Sequence, residues 1–325
     1  MARSDLLISL VKAGVSGDQT AFRKTVESLI AEERSKRHAI LADHLAEQLE
    51  RNGSPRSLQS GLTSDTSIGD LIYELVPNRT LDDLVLPESV RDACLELVEE
   101  HNRADLLRSH NLIPRNRVLL AGAPGNGKTS LAEALANALM VPFIVVRYDG
   151  LIASYLGETA SRLRKLFAYV HTRQCVLFFD EFDTIGKERG DLHETGEIKR
   201  VVSSLLLQVD DLPPYVVVVT ATNHPELLDR AVWRRFQIRL ELPPPGPSQA
   251  EHFFEQAAKR FEFPLDIKPQ TLAAELSGLS YSELEDFIAH IARRYVLALP
   301  DADPKQIIQR ALRQWQTRFA LKQEE

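Results

Sequence analysis

Residues 122–129 have the sequence Gly-Ala-Pro-Gly-Asn-Gly-Lys-Thr, which matches the pattern G-x-x-x-x-G-K-[ST] of phosphate-binding loops. Glycines let such a loop curl so that successive N–H groups face a phosphate, and the following helix directs its positive end at the same group. We expect Lys128 to reach the β- and γ-phosphates of a nucleotide, and the Thr129 hydroxyl to bind Mg²⁺. The alternative is a glycine-rich turn that only joins a strand to a helix. The predicted phosphate-binding residues are Ala123, Pro124, Gly125, Asn126, Gly127, Lys128, Thr129 and Ser130.

A second group of polar residues follows the apolar run Cys-Val-Leu-Phe-Phe at 175–179, which ends in Asp180 and Glu181. Ligands of open α/β sheets bind at the carboxyl ends of the strands, so this acidic pair is expected to face the phosphate loop. We expect Asp180 to hold Mg²⁺ together with Thr129, and Glu181 to orient and deprotonate an attacking water molecule. The adjacent pair alone is also compatible with an ordinary exposed strand end.

Five apolar, strand-like runs surround these motifs, and helix-like stretches separate most of them. Such strands, alternating with amphipathic helices, indicate a parallel sheet with helices on both faces. The predicted fold class is therefore α/β, with a parallel five-stranded sheet of the kind found in P-loop nucleoside triphosphatases. The five runs lie at 117–121, 143–147, 175–180, 215–221 and 236–240.

The flanking segments predict three further parts of the chain. Residues 242–247, Leu-Pro-Pro-Pro-Gly-Pro, cannot continue a strand or begin a helix, so the sheet domain is expected to end there. Helix-like segments follow it, and Ser280 and Glu283 have the spacing of a helix-capping box. The predicted parts are a helical N-terminal region at 1–51, a Ser- and Gly-rich linker at 52–70, a large α/β domain at 71–245, and an all-α lid domain at 246–325.

Composition limits the classes of partner. The net charge of −7 over 325 residues argues against a surface that binds nucleic acid by bulk electrostatics, so nucleic acid is not an expected partner. The cysteines, Cys94 and Cys175, lie far apart and favour no disulfide framework. The first residues do not fit a signal peptide, and no apolar run reaches the length of a membrane span. We expect a cytoplasmic protein with no membrane partner.

With these motifs in hand, the chain from about residue 80 to about residue 298 resembles the AAA family of AAA+ ATPases. The resemblance implies that the cofactors are ATP and Mg²⁺, and that the backbone near Leu84 and Val85, in the segment Leu-Asp-Asp-Leu-Val-Leu-Pro-Glu at 81–88, borders adenine. It also implies that Asn223, after the fourth predicted strand, helps to position the lytic water. On chemistry alone, Asn223 could simply cap the turn before Pro225.

Two further segments carry the resemblance. Residues 228–236 resemble the second region of homology, which implies that Arg234 and Arg235 are arginine fingers that reach the ATP of a neighbouring subunit. This adjacent pair is more similar to the microtubule-severing branch, and a solvated basic turn is the alternative. Tyr155, Leu156 and Gly157 resemble a pore loop that grips extended polypeptide, whereas chemistry alone favours Tyr155 packing on its own helix.

The chain departs from the family pattern in the lid. Tyr281-Ser282-Glu283 stands where the family usually has Gly-Ala-Asp, which puts a family-like lid contact with adenine in question. No arginine stands at the position of sensor 2. The N-terminal pattern resembles bacterial stand-alone AAA proteins that are paired with a subtilisin-like protease, and this chain contains no protease motif of its own.

The resemblance predicts a homo-oligomeric ring, expected to be a hexamer, that hydrolyses ATP to thread or unfold a protein substrate. Two neighbouring readings stay open: an ATP-dependent partner of a separate protease, and a nucleotide-switched scaffold. Retention of Glu181 and of the arginine pair favours turnover over a switch. A nucleic-acid loader or helicase is disfavoured by the charge balance.

Overall fold

The structure is a computed structural model that describes residues 66–147, 156–183, 194–261 and 263–322. All of these residues belong to one compact unit, Thr66–Glu325. The predicted N-terminal helical region, most of the predicted linker and Tyr155 lie outside the described residues. Within the described ranges, no helix has both the length and the apolar character needed to cross a membrane.

A six-stranded sheet forms the large domain, with the strand order β1-β3-β4-β5-β2-β6. Its strands are β1 (Ile72–Leu75), β2 (Arg117–Ala121), β3 (Phe143–Val146), β4 (Cys175–Phe179), β5 (Val216–Thr222) and β6 (Ile238–Glu241). The helices are α1 (Thr66–Gly69), α2 (Glu88–Asn102), α3 (Ala104–Ser109), α4 (Lys128–Ala138), α5 (Leu156–Val170), α6 (Glu194–Asp211), α7 (Arg230–Trp233), α8 (Pro247–Arg260), α9 (Pro269–Glu275), α10 (Tyr281–Leu297) and α11 (Pro304–Lys322). Short 3-10 helices span Leu81–Asp83 and Pro225–Leu227.

The central strands are buried on both faces, which explains their unbroken apolar runs. All seven residues of β5 are buried. Along β4 and β5, the apolar residues belong alternately to one and to the other of two apolar clusters. One cluster includes Leu166 of α5 and Leu205 of α6, and the other includes Leu97 of α2 and Leu135 of α4. Each such side chain contributes about 1.5–3 kcal/mol when it is removed from water. The predicted α/β class is confirmed, and both cysteines are free and buried.

The sheet contains one strand more than the five that the sequence predicted. β1 pairs antiparallel with β3, with Ile72 opposite Val146, while the remaining pairs are parallel. Of the four residues of β1 only Ile72 is buried, because the strand lies at the sheet edge. It therefore lacks both the continuous apolar run of the central strands and the alternating buried residues of β6. The short helix α1 also begins inside the predicted linker at 52–70.

The lid consists of α8 to α11 around an apolar cluster of its own, which includes Phe254, Phe287 and Trp315. The helix-like segments predicted after residue 247 are confirmed as these four helices. The predicted capping box is also observed: the Ser280 N–H donates to Glu283 Oε2 at 2.9 Å, and the Glu283 N–H donates to Ser280 Oγ at 3.4 Å. This reciprocal cap fixes the first turn of α10, which faces the large domain.

Candidate active site

The loop between β2 and α4 has a backbone that only glycine tolerates at two key positions. Gly122 has φ +152°, and a Cβ atom there would lie 2.3 Å from the carbonyl oxygen of Leu242. Gly125 has φ +78°, and a Cβ atom there would lie 2.8 Å from Ser280 Oγ. The first contact is with rigid backbone, so no side chain fits. The loop leads into Lys128, the first residue of α4, and therefore opens onto the N-terminal end of that helix.

Lys128 is largely buried, and its ammonium group makes three hydrogen bonds. It donates to Gly122 O at 2.8 Å, to Ala123 O at 3.0 Å and to Asn223 Oδ1 at 2.6 Å. Burial lowers the pKa of Lys128 below its ordinary value, and nearby carboxylates, chiefly Asp180, oppose that shift. The cation is therefore held in place by loop carbonyls on one side and by the end of β5 on the other.

Asp180 and Glu181 follow β4 and face the start of α4. The Thr129 hydroxyl donates to Asp180 Oδ2 at 3.2 Å, and the Glu181 N–H donates to Asp180 Oδ1 at 2.9 Å. Glu181 is exposed and has φ +46°, a left-handed conformation that costs energy for a residue other than glycine. Hydroxyl and carboxylate oxygens are the ligands that Mg²⁺ prefers. The adjacent oxygens of Thr129 and Asp180 thus fit a magnesium ion.

A cleft of about 490 Å³ lies between the large domain and the lid, and it brings most of the predicted residues together. Ala123 contributes its carbonyl to Lys128, and the other predicted phosphate-loop residues line the cleft. The remaining predicted residues that line it are Leu84, Val85, Asp180, Glu181 and Asn223. One part of the lining, which we call the phosphate end, consists of Gly125, Lys128, Thr129, Asp180 and Asn223.

A second part of the lining, which we call the lid end, consists of side chains that were not among the predicted site residues. They include Arg79, Asp83, Phe253, Arg260 and Tyr281. The Phe253 and Tyr281 rings meet edge to face, with 5.9 Å between their centroids, and burial raises the pKa of Tyr281 to about 12. Arg79 donates to Ser130 Oγ at 3.0 Å, while Arg260 forms an ion pair with Glu285. Single residues of this kind, spread over the chain, form no pattern from which the sequence could have predicted them.

The lid touches the phosphate loop directly, despite its departure from the family pattern. The backbone N–H of Ser282 donates to Gly125 O at 3.0 Å. Tyr281 and Ser282 both line the cleft. Replacement of Gly-Ala-Asp by Tyr-Ser-Glu therefore leaves the lid helix in contact with the nucleotide cleft.

The predicted arginine fingers lie outside this cleft. Arg234 is exposed, and Arg235 donates to Asp210 Oδ2 at 2.8 Å. Asp210 also forms an ion pair with Arg117, the first residue of β2. Of the predicted pore loop, Leu156 and Gly157 form the start of α5 in the described backbone. Neither arginine lines the cleft of its own chain.

The fold and the site together define a nucleoside triphosphatase of the P-loop class, and comparisons with known proteins identify its family. Residues 118–244 match the family described as "ATPase family associated with various cellular activities (AAA)". An uncharacterized AAA family ATPase of Sinorhizobium fredii is 37% identical over 290 residues, which cover 88% of this chain and 87% of the relative. The chain therefore belongs to the AAA family of ATPases, and it binds and hydrolyses ATP.

Two less similar relatives are named as a proteasome subunit homolog and as a protease. A putative 26S proteasome regulatory subunit homolog of Methanothermobacter marburgensis is 31% identical over 255 residues, which cover 76% of this chain and 67% of the relative. The ATP-dependent zinc metalloprotease FtsH 3 of Sphaerobacter thermophilus is 34% identical over 209 residues, which cover 62% of this chain and 42% of the relative.

Proposed function

We propose that this chain is a subunit of a homo-oligomeric ring, a hexamer, which uses ATP hydrolysis to remodel or unfold protein substrates. The observation that carries the proposal is the convergence of Lys128, Asp180, Glu181 and Asn223 on one cleft in a member of the AAA family. Relatives named as a proteasome regulatory subunit homolog and an ATP-dependent protease support a protein as the substrate. A separate protease that receives the unfolded chain is compatible with the same activity.

The residues of the phosphate end have distinct tasks in the proposed reaction. Thr129 and Asp180 hold Mg²⁺, which supplies neutralisation of the charge that develops on the phosphates. Lys128 exchanges at least one of its three hydrogen bonds for a phosphate oxygen, because its three N–H groups are all in use. Glu181, which is exposed at the cleft, orients the water and accepts its proton.

The adenine and the neighbouring subunit complete the proposed site. Leu84 and Val85 line the cleft beyond the phosphate loop, where their backbone borders the base. Arg234 and Arg235 act on the ATP of the next subunit, and the exposed Arg234 has the freer side chain. Such a guanidinium stabilises transition-state charge and makes hydrolysis depend on assembly.

The predicted pore loop handles the protein substrate in this proposal. Tyr155, Leu156 and Gly157 form the pore loop that grips polypeptide, and α5 begins directly behind Tyr155. An aromatic ring grips many sequences because its large apolar area needs no particular partner.

Paired substitutions in the full-length chain test the proposed function. We expect Glu181→Gln to bind ATP and lose hydrolysis by about 10²–10⁴-fold, because the general base is removed. Lys128→Ala is expected to lose ATP binding itself, and Tyr155→Ala to hydrolyse ATP without unfolding a tagged client. The measurements are phosphate release, native mass and client capture on the Glu181→Gln ring. A Tyr155→Ala protein that still unfolds its client would contradict the threading proposal, and wild-type hydrolysis in Glu181→Gln would contradict the site.

A further inference from the structure

A buried carboxylate that no motif identified lies directly behind the phosphate end. Asp183 follows the acidic pair by two residues, and only 3% of its surface is exposed. The chain around it runs against the end of β5, where the Phe182 N–H donates to Ala221 O at 2.8 Å. A buried carboxylate is costly unless polar partners stabilise it, so its contacts indicate what it does.

Asp183 binds the last residue of β5 and the residue after it. Its Oδ1 atom accepts from the Thr222 hydroxyl at 2.9 Å and from the Asn223 backbone N–H at 3.3 Å. The Thr222 hydroxyl oxygen in turn accepts the His224 N–H at 3.0 Å. One carboxylate oxygen therefore fixes the turn that carries Asn223 to the edge of the cleft.

The position of Asn223 matters because Lys128 must give up one of its hydrogen bonds before it can bind a phosphate oxygen. All three hydrogen bonds of the ammonium group are occupied, two by loop carbonyls and one by Asn223 Oδ1. The carbonyls belong to the phosphate loop itself, whereas the amide comes from a separate strand. When a phosphate oxygen takes a Lys128 N–H, the Asn223 contact is the one that can be given up without distorting the loop. Asn223 then keeps its place only through its backbone, which Asp183 holds.

We propose that Asp183 is a positioning residue for ATP hydrolysis, which acts through Thr222 and Asn223 to keep the Asn223 amide at the phosphate end after Lys128 has turned to the nucleotide. The inference rests on the proposed function, and on the role in positioning the lytic water that the family resemblance implies for Asn223. It predicts that Asp183 affects turnover rather than nucleotide binding, because Asp183 is absent from the cleft lining.

A double-mutant cycle in the full-length protein tests this inference. Asp183→Ala is expected to lower kcat about tenfold, the cost of an unmade buried hydrogen bond, while KM for ATP changes by less than about twofold. In an Asn223→Ala background the same substitution should have no further effect on kcat. Asp183→Asn retains an oxygen acceptor and should recover most of the loss. Losses that multiply in the double variant, or an Asp183→Asn protein as slow as Asp183→Ala, would overturn the proposal.

Two variants in β5 provide a second test and its control. They keep the proposal testable if Asp183→Ala folds poorly. Thr222→Val removes one donor to Asp183 and should lower kcat about threefold, again without further effect in the Asn223→Ala background. Thr220→Val removes a hydroxyl of the same strand that donates to Val118 O at 3.4 Å, away from Asp183, and should leave kcat unchanged. Equal losses in the two valine variants would overturn the proposal. Absence of protein unfolding by an otherwise active wild type would instead count against the proposed function.

Discussion

The two ends of the nucleotide cleft are built in different ways. The phosphate end consists of the β2–α4 loop and the carboxyl ends of β4 and β5. Three hydrogen bonds donated by Lys128, and one donated by the Thr129 hydroxyl to Asp180, hold these segments together. The lid end consists of individual side chains from distant segments, such as Arg79, Phe253 and Tyr281. The phosphate end carries the groups that are proposed to act in hydrolysis, whereas the lid end provides surface for contact with the nucleotide. The difference predicts that substitutions at the phosphate end reduce turnover, and also ATP binding where the phosphate loop or Lys128 is changed. Substitutions at the lid end are predicted to weaken ATP binding without a change in turnover.

The largest expected effect is that of Arg234, which in the proposed ring acts at the phosphate end of the neighbouring subunit. Arg234→Ala should lower kcat by about 10³-fold, the smaller of the usual effects of an arginine finger. The exposed Arg234 lies outside its own cleft, so in the proposed ring the loss is expected at the neighbour's site. ATPase assays on mixtures check this assignment: Arg234→Ala and Glu181→Gln subunits, each inactive alone, should recover activity together. Mixtures that stay inactive would mean that each subunit hydrolyses ATP without its neighbour.

The next effect lies where the two ends meet. Gly125→Ala would place a methyl group 2.8 Å from Ser280 Oγ in a backbone with φ +78°. The left-handed conformation alone costs about 1–2 kcal/mol, so we expect ATP affinity and turnover each to fall about tenfold. Gly278→Ala is the matched control, since Gly278 has φ +88° and a methyl group there meets nothing within 4 Å. Titration with a fluorescent ATP analogue measures the affinity. Equal behaviour of the two alanine variants would show that the contact between lid and loop has no effect on the nucleotide.

The smallest effect is expected at the lid end. Phe253→Ala removes an aromatic surface of the cleft and its contact with Tyr281, a pair worth about 0.5–1.5 kcal/mol, so KM for ATP should rise severalfold with kcat unchanged. Tyr281→Phe keeps the ring and removes a buried hydroxyl that has no hydrogen-bond partner in the described part of the chain. Its KM should stay within about twofold of the wild type. Steady-state kinetics separate these outcomes, and a fall of kcat in Phe253→Ala would remove the distinction between the two ends.

The same contrast explains how far the sequence alone could predict the molecule. The phosphate end was predictable because phosphate binding demands particular residues at short, fixed spacings, as at 122–129 and 180–181. The four inner strands were predictable because burial on both faces demands apolar residues throughout. β6 was predictable because its apolar residues alternate with polar ones, as expected of a half-buried strand. β1 escaped because only Ile72 is buried. Arg79, Arg260 and Asp183 were not predicted as residues of the site, because tertiary packing alone brings them there. The lid contact through Ser282 escaped because it uses a backbone N–H, which every residue except proline carries.

The ion pairs of Asp210 link two places that lie far apart along the chain. Asp210, near the end of α6, binds Arg235 beside the exposed Arg234 and also binds Arg117 at the start of β2. β2 leads within five residues into the loop that holds Lys128. In a ring of the proposed kind, a force exerted on the arginine turn by the neighbour's nucleotide would reach this subunit's own loop through one shared carboxylate. Mechanical signals between successive subunits would then have a route that bypasses the lid.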